Sequence, residues 1–184
     1  MNQALAVADV LPSAPRSGAA DSLASFEQLY RDTFPRVYAY VASMLRDRVA
    51  AEDVTAQAYE RAYRKRFSYR PARGSAEGWL FGIARNAALD ELRRDKRRAS
   101  LEFDPEDLGV VPAEDQADLA LRRETVRAAL ATLDPRDRDM VALKFAGGLS
   151  NREIADVLSI SESNVGTKLH RTIERLRKAC HENV

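Results

Sequence analysis

Residues 134–178 read DPRDRDMVALKFAGGLSNREIADVLSISESNVGTKLHRTIERLRK, and the spacing of their caps and apolar positions decides how this chain folds. Asp134 followed by Pro135 is a helix start: the carboxylate can cap free backbone N–H groups, and proline loses nothing at the first helical position. Gly147-Gly148 stops that helix. Ser150 with Glu153 three residues on makes a capping box for the next, whose apolar side is Ile154, Ala155 and Leu158. The turn Ser159-Ile160-Ser161 follows, and Ser161 can cap a last helix. There Val165, Leu169, Ile173 and Leu176 recur at steps of four, four and three, which gathers them on one face.

Two helices across so short a turn form a helix-turn-helix pattern. The outer face of the second carries Ser163, Asn164, Thr167, Lys168, His170 and Arg171, with Arg175, Arg177 and Lys178 further on. Such a helix can lay its N-terminal half in a major groove, where amide and guanidinium groups read base edges and later cations meet phosphates. The same spacing also fits a plain helical hairpin with a solvated basic face. Ser159 stands where glycine is common.

Upstream, residues 22–98 also read as helices. Phe26, Leu29 and Tyr30 open an apolar stripe that Val37, Tyr38, Val41, Met44 and Leu45 continue, with Pro35 placed at the first turn of a second segment. A further helix is expected from about Ala50 to Arg66, turning Val54, Ala58, Tyr59, Ala62 and Tyr63 inward. The Pro-, Gly- and Ser-bearing stretch Ser68–Ser75 reads as a loop. A helix then runs from Ala76–Trp79 into the basic cluster Arg93-Arg94-Asp95-Lys96-Arg97-Arg98. Trp79, Leu80, Ile83 and Ala87 form its apolar side, while Asn86, Asp90, Arg93, Arg94 and Arg97 share another face. With Tyr69, Arg73 and Ser75 in the preceding loop, that face could hold backbone and enclose an unpaired base. A solvated charged face has the same periodicity.

Between the two helical blocks the character inverts. Residues 101–118 hold seven acids, no Lys or Arg, and Pro105, Gly109 and Pro112. The expected architecture is therefore all-α: two small helical domains, 22–98 and 119–184, joined by a flexible acidic linker over 99–118, with a disordered Ala-, Ser- and Pro-rich tail over 1–21. Net charge is only +1, so the basic residues are concentrated rather than abundant. One cysteine, Cys180, and two histidines supply too few ligands for a structural zinc, and no metal or other cofactor is expected. A single cysteine suits a reducing cytoplasm. No apolar run approaches the roughly 18 residues of a membrane span, so no membrane insertion is expected.

Two stretches together resemble the extracytoplasmic-function (ECF) sigma factors of the bacterial sigma-70 superfamily. One is Trp79-Leu80-Phe81-Gly82-Ile83-Ala84-Arg85-Asn86 with Asp90 and Leu92-Arg93-Arg94; the other is Leu133-Asp134-Pro135-Arg136, Gly148–Ala155, Ile160-Ser161 and Val165–Arg171. Glu52-Asp53 fits as well, and order and spacing agree from about Phe26 to Lys178. The resemblance implies a non-enzymatic transcription initiation factor. Asp53, Gln57, Glu60 and Arg61 would bind core RNA polymerase, whose beta and beta-prime subunits are the implied partners. Tyr69, Arg73, Ser75, Asn86, Asp90, Arg93, Arg94 and Arg97 would melt and read the minus-ten promoter element. Ser163, Asn164, Thr167, Lys168, His170, Arg171 and Arg175 would read the minus-thirty-five element. An anti-sigma factor is a further implied partner. Ala56-Gln57 departs from the Gln-Glu of many relatives, and Gly166 replaces a frequent Lys or Arg. A free-standing helix-turn-helix regulator would account for the C-terminal half but leaves the Trp79–Arg98 helix and the acidic linker without a role. An enzyme acting on nucleic acid lacks a ligand set, a phosphate-cradling loop or a nucleophile with its base.

Overall fold

The computed structural model describes residues 17–99 and 117–182, with side chains over 25–97 and 124–180. Its elements are all helical. Helices α1 (Ser17–Leu45), α2 (Arg48–Lys65) and α3 (Ala76–Ala99) form one group; α4 (Ala117–Ala131), α5 (Pro135–Phe145), α6 (Asn151–Leu158) and α7 (Glu162–Glu182) form the other. Helix α1 begins at Ser17, inside the stretch expected as tail. Residues 1–16 and 100–116, which include most of the expected tail and linker, lie outside the described residues.

The local signals act through short hydrogen bonds. Asp47 caps α2, accepting from the Ala50 N–H at 2.9 Å, after Arg46 takes a left-handed φ of 59° to end α1. Asp134 accepts from the N–H groups of Arg136 and Asp137, both at 3.0 Å, and these donors hold its carboxyl below the ordinary range. In the Ser150/Glu153 capping box, the Ser150 N–H donates to Glu153 at 2.9 Å and the Glu153 N–H to Ser150 Oγ at 3.2 Å. Ser159, at φ 55°, turns the chain between α6 and α7 without a glycine.

Two expectations within the first group need correction. Pro35 does not divide a helix pair: α1 runs through it unbroken. Proline removes one i→i−4 bond, but α1 lies along both α2 and α3, and Val37, Tyr40 and Val41 beyond Pro35 are fully buried. That packing outweighs the lost bond. Tyr63 does not point inward; it is 38% exposed, edge-on to Phe26, with the Arg66 guanidinium 4.0 Å from its ring centroid.

The two groups do not stand apart. Tyr40, Leu80 and Phe81 from the first and Leu143, Leu149 and Ile154 from the second are all at or below 1% exposure within one continuous core. Burying each such side chain contributes about 1.5–3 kcal/mol. Helix α6 lies on α3, and α5 lies on α1.

Candidate nucleic-acid interface

The first candidate surface is built where the Tyr69–Ser75 loop meets α3. The Tyr69 hydroxyl donates to the Gly74 carbonyl at 3.0 Å, which folds the loop onto itself. The Tyr69 ring lies 5.5 Å from that of Trp79, at 44°. Gly74 adopts φ 133°, a backbone conformation open to glycine. Ser75 Oγ accepts from the Gly78 N–H at 3.0 Å and so caps α3. The result is a groove in which Tyr69, Arg73, Ser75, Trp79 and Asn86 share one wall. An aromatic pair, an exposed amide and an exposed guanidinium in one groove can stack and hydrogen-bond an unstacked base.

Asp90, Arg93, Arg94 and Arg97 lie along α3 beyond this groove, the arginines about 10–16 Å past Asn86 at 1.5 Å per residue. Arg93 pairs with Asp90 at 2.9 Å and Arg94 with Glu91 at 2.8 Å. The Arg93–Asp90 pair is exposed and worth at most about 1 kcal/mol, so a phosphate can displace it. Asp90 is thus a holder of Arg93 more than a contact in its own right.

The second surface is on α7. Val165, Leu169 and Thr172 are buried against the unit's core, and Ile173 and Leu176 are half-buried. Ser163, Asn164, Thr167, Lys168, His170 and Arg171 are all exposed. Arg175 is placed differently: its guanidinium pairs with Asp137 of α5, a residue only 7% exposed, and reaches Thr172 Oγ1 at 3.3 Å. The pair ties α7 to α5, while the Arg175 side chain stays more than half exposed.

A third surface runs along α2. Asp53 and Glu60 are exposed, Gln57 and Arg61 half-buried, and Glu60 pairs with Arg64 at 2.6 Å. Sequence reasoning missed what flanks it. Tyr30, Phe34, Tyr63 and Phe67 are 42%, 37%, 38% and 69% exposed and form an aromatic ribbon. Tyr30 lies 4.8 Å from Tyr59 and 5.1 Å from Phe34. Tyr30 and Tyr63 read as parts of inward apolar stripes, and Phe34 has no role in that reading.

Helix α6 closes over the first groove. Glu153 accepts from Ser75 Oγ at 2.6 Å, and Asp156 and Val157 form the groove's far wall. Burial pushes the Glu153 carboxyl up. The hydroxyls of Ser75 and Ser150, the Ser150 N–H and the Arg36 guanidinium outweigh it, so the group sits below its ordinary value. Among the described residues no cluster of three or more His, Cys, Asp or Glu could hold a metal, and no helix is long and apolar enough to cross a membrane.

Comparison with known proteins agrees with this arrangement. Residues 29–98 match Sigma-70 region 2, and residues 123–176 match Sigma-70 region 4. The ECF RNA polymerase sigma factor SigE of Mycolicibacterium smegmatis is 34% identical over 161 residues, covering 85% of this chain and 62% of that protein. SigK of Mycobacterium tuberculosis is 30% identical over 158 residues, with 84% of each chain covered. The solved structure of the sigma factor RpoE with the anti-sigma factor NepR from Bartonella quintana aligns at a TM-score of 0.68 and 23% identity, over 84% of this chain and 96% of that one. CnrH with the cytosolic domain of CnrY aligns at 0.65 and 20%, over 90% and 96%.

Proposed function

This chain belongs to the ECF RNA polymerase sigma factors, and from that premise we propose that each of its surfaces has one task in promoter-directed initiation. Core RNA polymerase takes the α2 strip of Asp53, Gln57, Glu60 and Arg61 with its aromatic flank. The groove of Tyr69, Arg73, Ser75, Trp79 and Asn86 receives unpaired bases of the minus-ten element, and Arg93, Arg94 and Arg97 follow the strand's phosphates. The α7 face of Ser163, Asn164, Thr167, Lys168, His170 and Arg171 reads the minus-thirty-five duplex. The cytoplasm, where polymerase and promoter meet, is the place of action. RpoE is held by an anti-sigma factor in its solved complex, and a protein antagonist of that class fits this chain too.

The observation that carries this reading is a pairing within one chain: a groove with Tyr69, Arg73, Trp79 and Asn86 in its lining, and a helix-turn-helix whose second helix has an exposed polar face. A free-standing regulator needs only the second. The test is run-off transcription with purified core polymerase on promoter fragments selected by the reconstituted enzyme. Specific initiation is expected only when chain and core are combined. Tight, sequence-specific binding of duplex DNA by the chain alone would refute the reading.

A further inference from the structure

One position on the outer side of α7 carries no side chain. Gly166 is half-buried, and its neighbours one turn away, Ser163 and His170, are exposed. Glycine within a helix is destabilising relative to alanine, and here neither backbone nor packing asks for it. Unlike Gly74 and Gly148, Gly166 has no positive φ. A Cβ built on it would meet, beyond the adjacent backbone, one heavy atom within 4 Å: Nδ2 of Asn151, at 3.8 Å, an ordinary contact. The space in front of Gly166 therefore opens outward. Asn151, the first residue of α6, borders that space in a fixed orientation. Its Oδ1 accepts from the Lys144 ammonium at 3.2 Å. Lysine can only donate, so the amide oxygen turns to Lys144 and the NH2 group turns toward Gly166. No acceptor among the described residues takes that NH2 group. We infer that Gly166 and Asn151 together read one thymine of the minus-thirty-five duplex: the C5-methyl seats on the bare helix at Gly166, and the Asn151 amide donates to O4 of the same base.

This inference rests on the reading of α7 as the minus-thirty-five helix. The chemistry of the major-groove edge then selects the base. Thymine sets an apolar methyl beside a lone acceptor, O4. Cytosine turns a donor amine toward the same place, adenine sets its amine beside N7, and guanine offers two acceptors and no methyl. An amide whose oxygen is already held by Lys144 acts as a donor, which suits O4 and opposes both amines. A side chain at position 166 would fill the seat that the methyl needs. Two helices then share one base pair: α7 supplies the seat and α6 the hydrogen bond, so the site also sets how α7 is rotated in the groove.

The test uses the full chain with core polymerase on a promoter selected by the reconstituted enzyme, and reads competition for open-complex formation. Each thymine of the upstream element is replaced singly by deoxyuridine, which lacks only the methyl; this scan needs no protein variant. One replacement is expected to weaken the unsubstituted chain about fourfold, the worth of one buried methyl group. At that position 5-methylcytosine opposite guanine keeps the methyl but reverses the hydrogen bond, and should weaken it roughly tenfold. Gly166→Arg, which the open space admits, should abolish the deoxyuridine penalty. Asn151→Ala should keep that penalty and largely abolish the one for 5-methylcytosine. Helical content and thermal melting check that both variants fold. If no thymine is methyl-sensitive while scrambling the upstream element still costs activity, the site is overturned and the reading of α7 stands. A deoxyuridine penalty that survives Gly166→Arg, or a 5-methylcytosine penalty that survives Asn151→Ala, would overturn the site as well. Equal use of intact and scrambled elements would instead strike the minus-thirty-five reading, and the site with it.

Discussion

Gly147 of the second unit packs against Phe81 of the first with no room for a side chain, and Gly147→Ala tests that approach with a calculable effect. A Cβ there would lie 2.6 Å from the Leu143 carbonyl oxygen and 2.9 Å from Cε1 of Phe81, distances that side chains do not occupy. The backbone has little freedom to retreat. The Gly147 N–H donates to Ala142 at 2.9 Å, and its carbonyl accepts from Arg36. Phe81 is fully buried, with its ring 5.6 Å from that of Tyr40. Forcing one extra carbon into such a site costs about 1–3 kcal/mol, and the two rigid neighbours place this case in the upper half. For a chain of this length each kcal/mol lowers Tm by about 2–4 °C, so a fall of roughly 4–12 °C is expected. The assay is urea and thermal unfolding, run also in a Phe81→Leu background, which removes the ring but leaves the Leu143 carbonyl. A coupling of about 1 kcal/mol between the two substitutions is expected. Equal cost of Gly147→Ala in both backgrounds would show that the ring is not the obstacle, and a neutral Gly147→Ala would refute the close approach itself.

Asn86→Ala should impair promoter opening more than closed-complex formation, because Asn86 is the exposed amide in the groove; normal permanganate reactivity of the melted segment would move the role to the Tyr69–Ser75 loop. Three arginines of α7 should separate: Arg171→Ala should cost roughly tenfold or more on a matched promoter and much less on one with a scrambled upstream element, as expected for a base contact worth about 1–3 kcal/mol. Arg177→Ala should weaken both about equally, and Arg175→Ala should instead lower stability by leaving Asp137 buried without its cation; identical profiles for all three would refute specific readout by this helix. Burial pushes the Tyr59 phenol up to about 12 and raises Tyr40 well above its usual value. The folded state therefore holds these protons more tightly, so stability is intact below about pH 10, where the unfolded phenols are still neutral, and is lost as pH climbs toward 12; urea titrations that show no loss across that window would contradict the burial of both rings.

What could be read in the sequence divides by distance along the chain. The caps at Asp134 and Ser150, the stop at Gly147-Gly148 and the polar face of α7 depend on partners within about one helical turn, and periodicity exposes them. Asn86, Tyr69 and Arg73 were legible as candidates for the same reason: loop chemistry precedes an amphipathic helix. Pro35 misled because the term that overrides a lost hydrogen bond is packing against α2 and α3, which no local pattern records. Tyr30 and Tyr63 misled because a wide apolar stripe does not say which of its edges is covered. Arg175 reads as a free cation until Asp137, 38 residues earlier, is seen beneath it.

Asp139 is the sharpest case. Within Asp134–Val141 it is one of three closely spaced acids and looks like any solvated helix charge. Its burial follows only from Tyr40, 99 residues away, and Arg85, 54 away, arriving at the same point from a different unit. A leucine there would bury more cheaply and hold the units together by area alone, since ion pairs at buried sites are often no more stabilising than apolar substitutes. The charged cluster instead gives a seam whose polar groups can all be rehydrated on separation, so the cost of opening falls mainly on the apolar contacts around Phe81 and Leu143. Interfaces between units of one chain that must part are more polar than permanent ones for this reason. The same residues that hid the docking from a sequence reading are therefore those that make its seam polar.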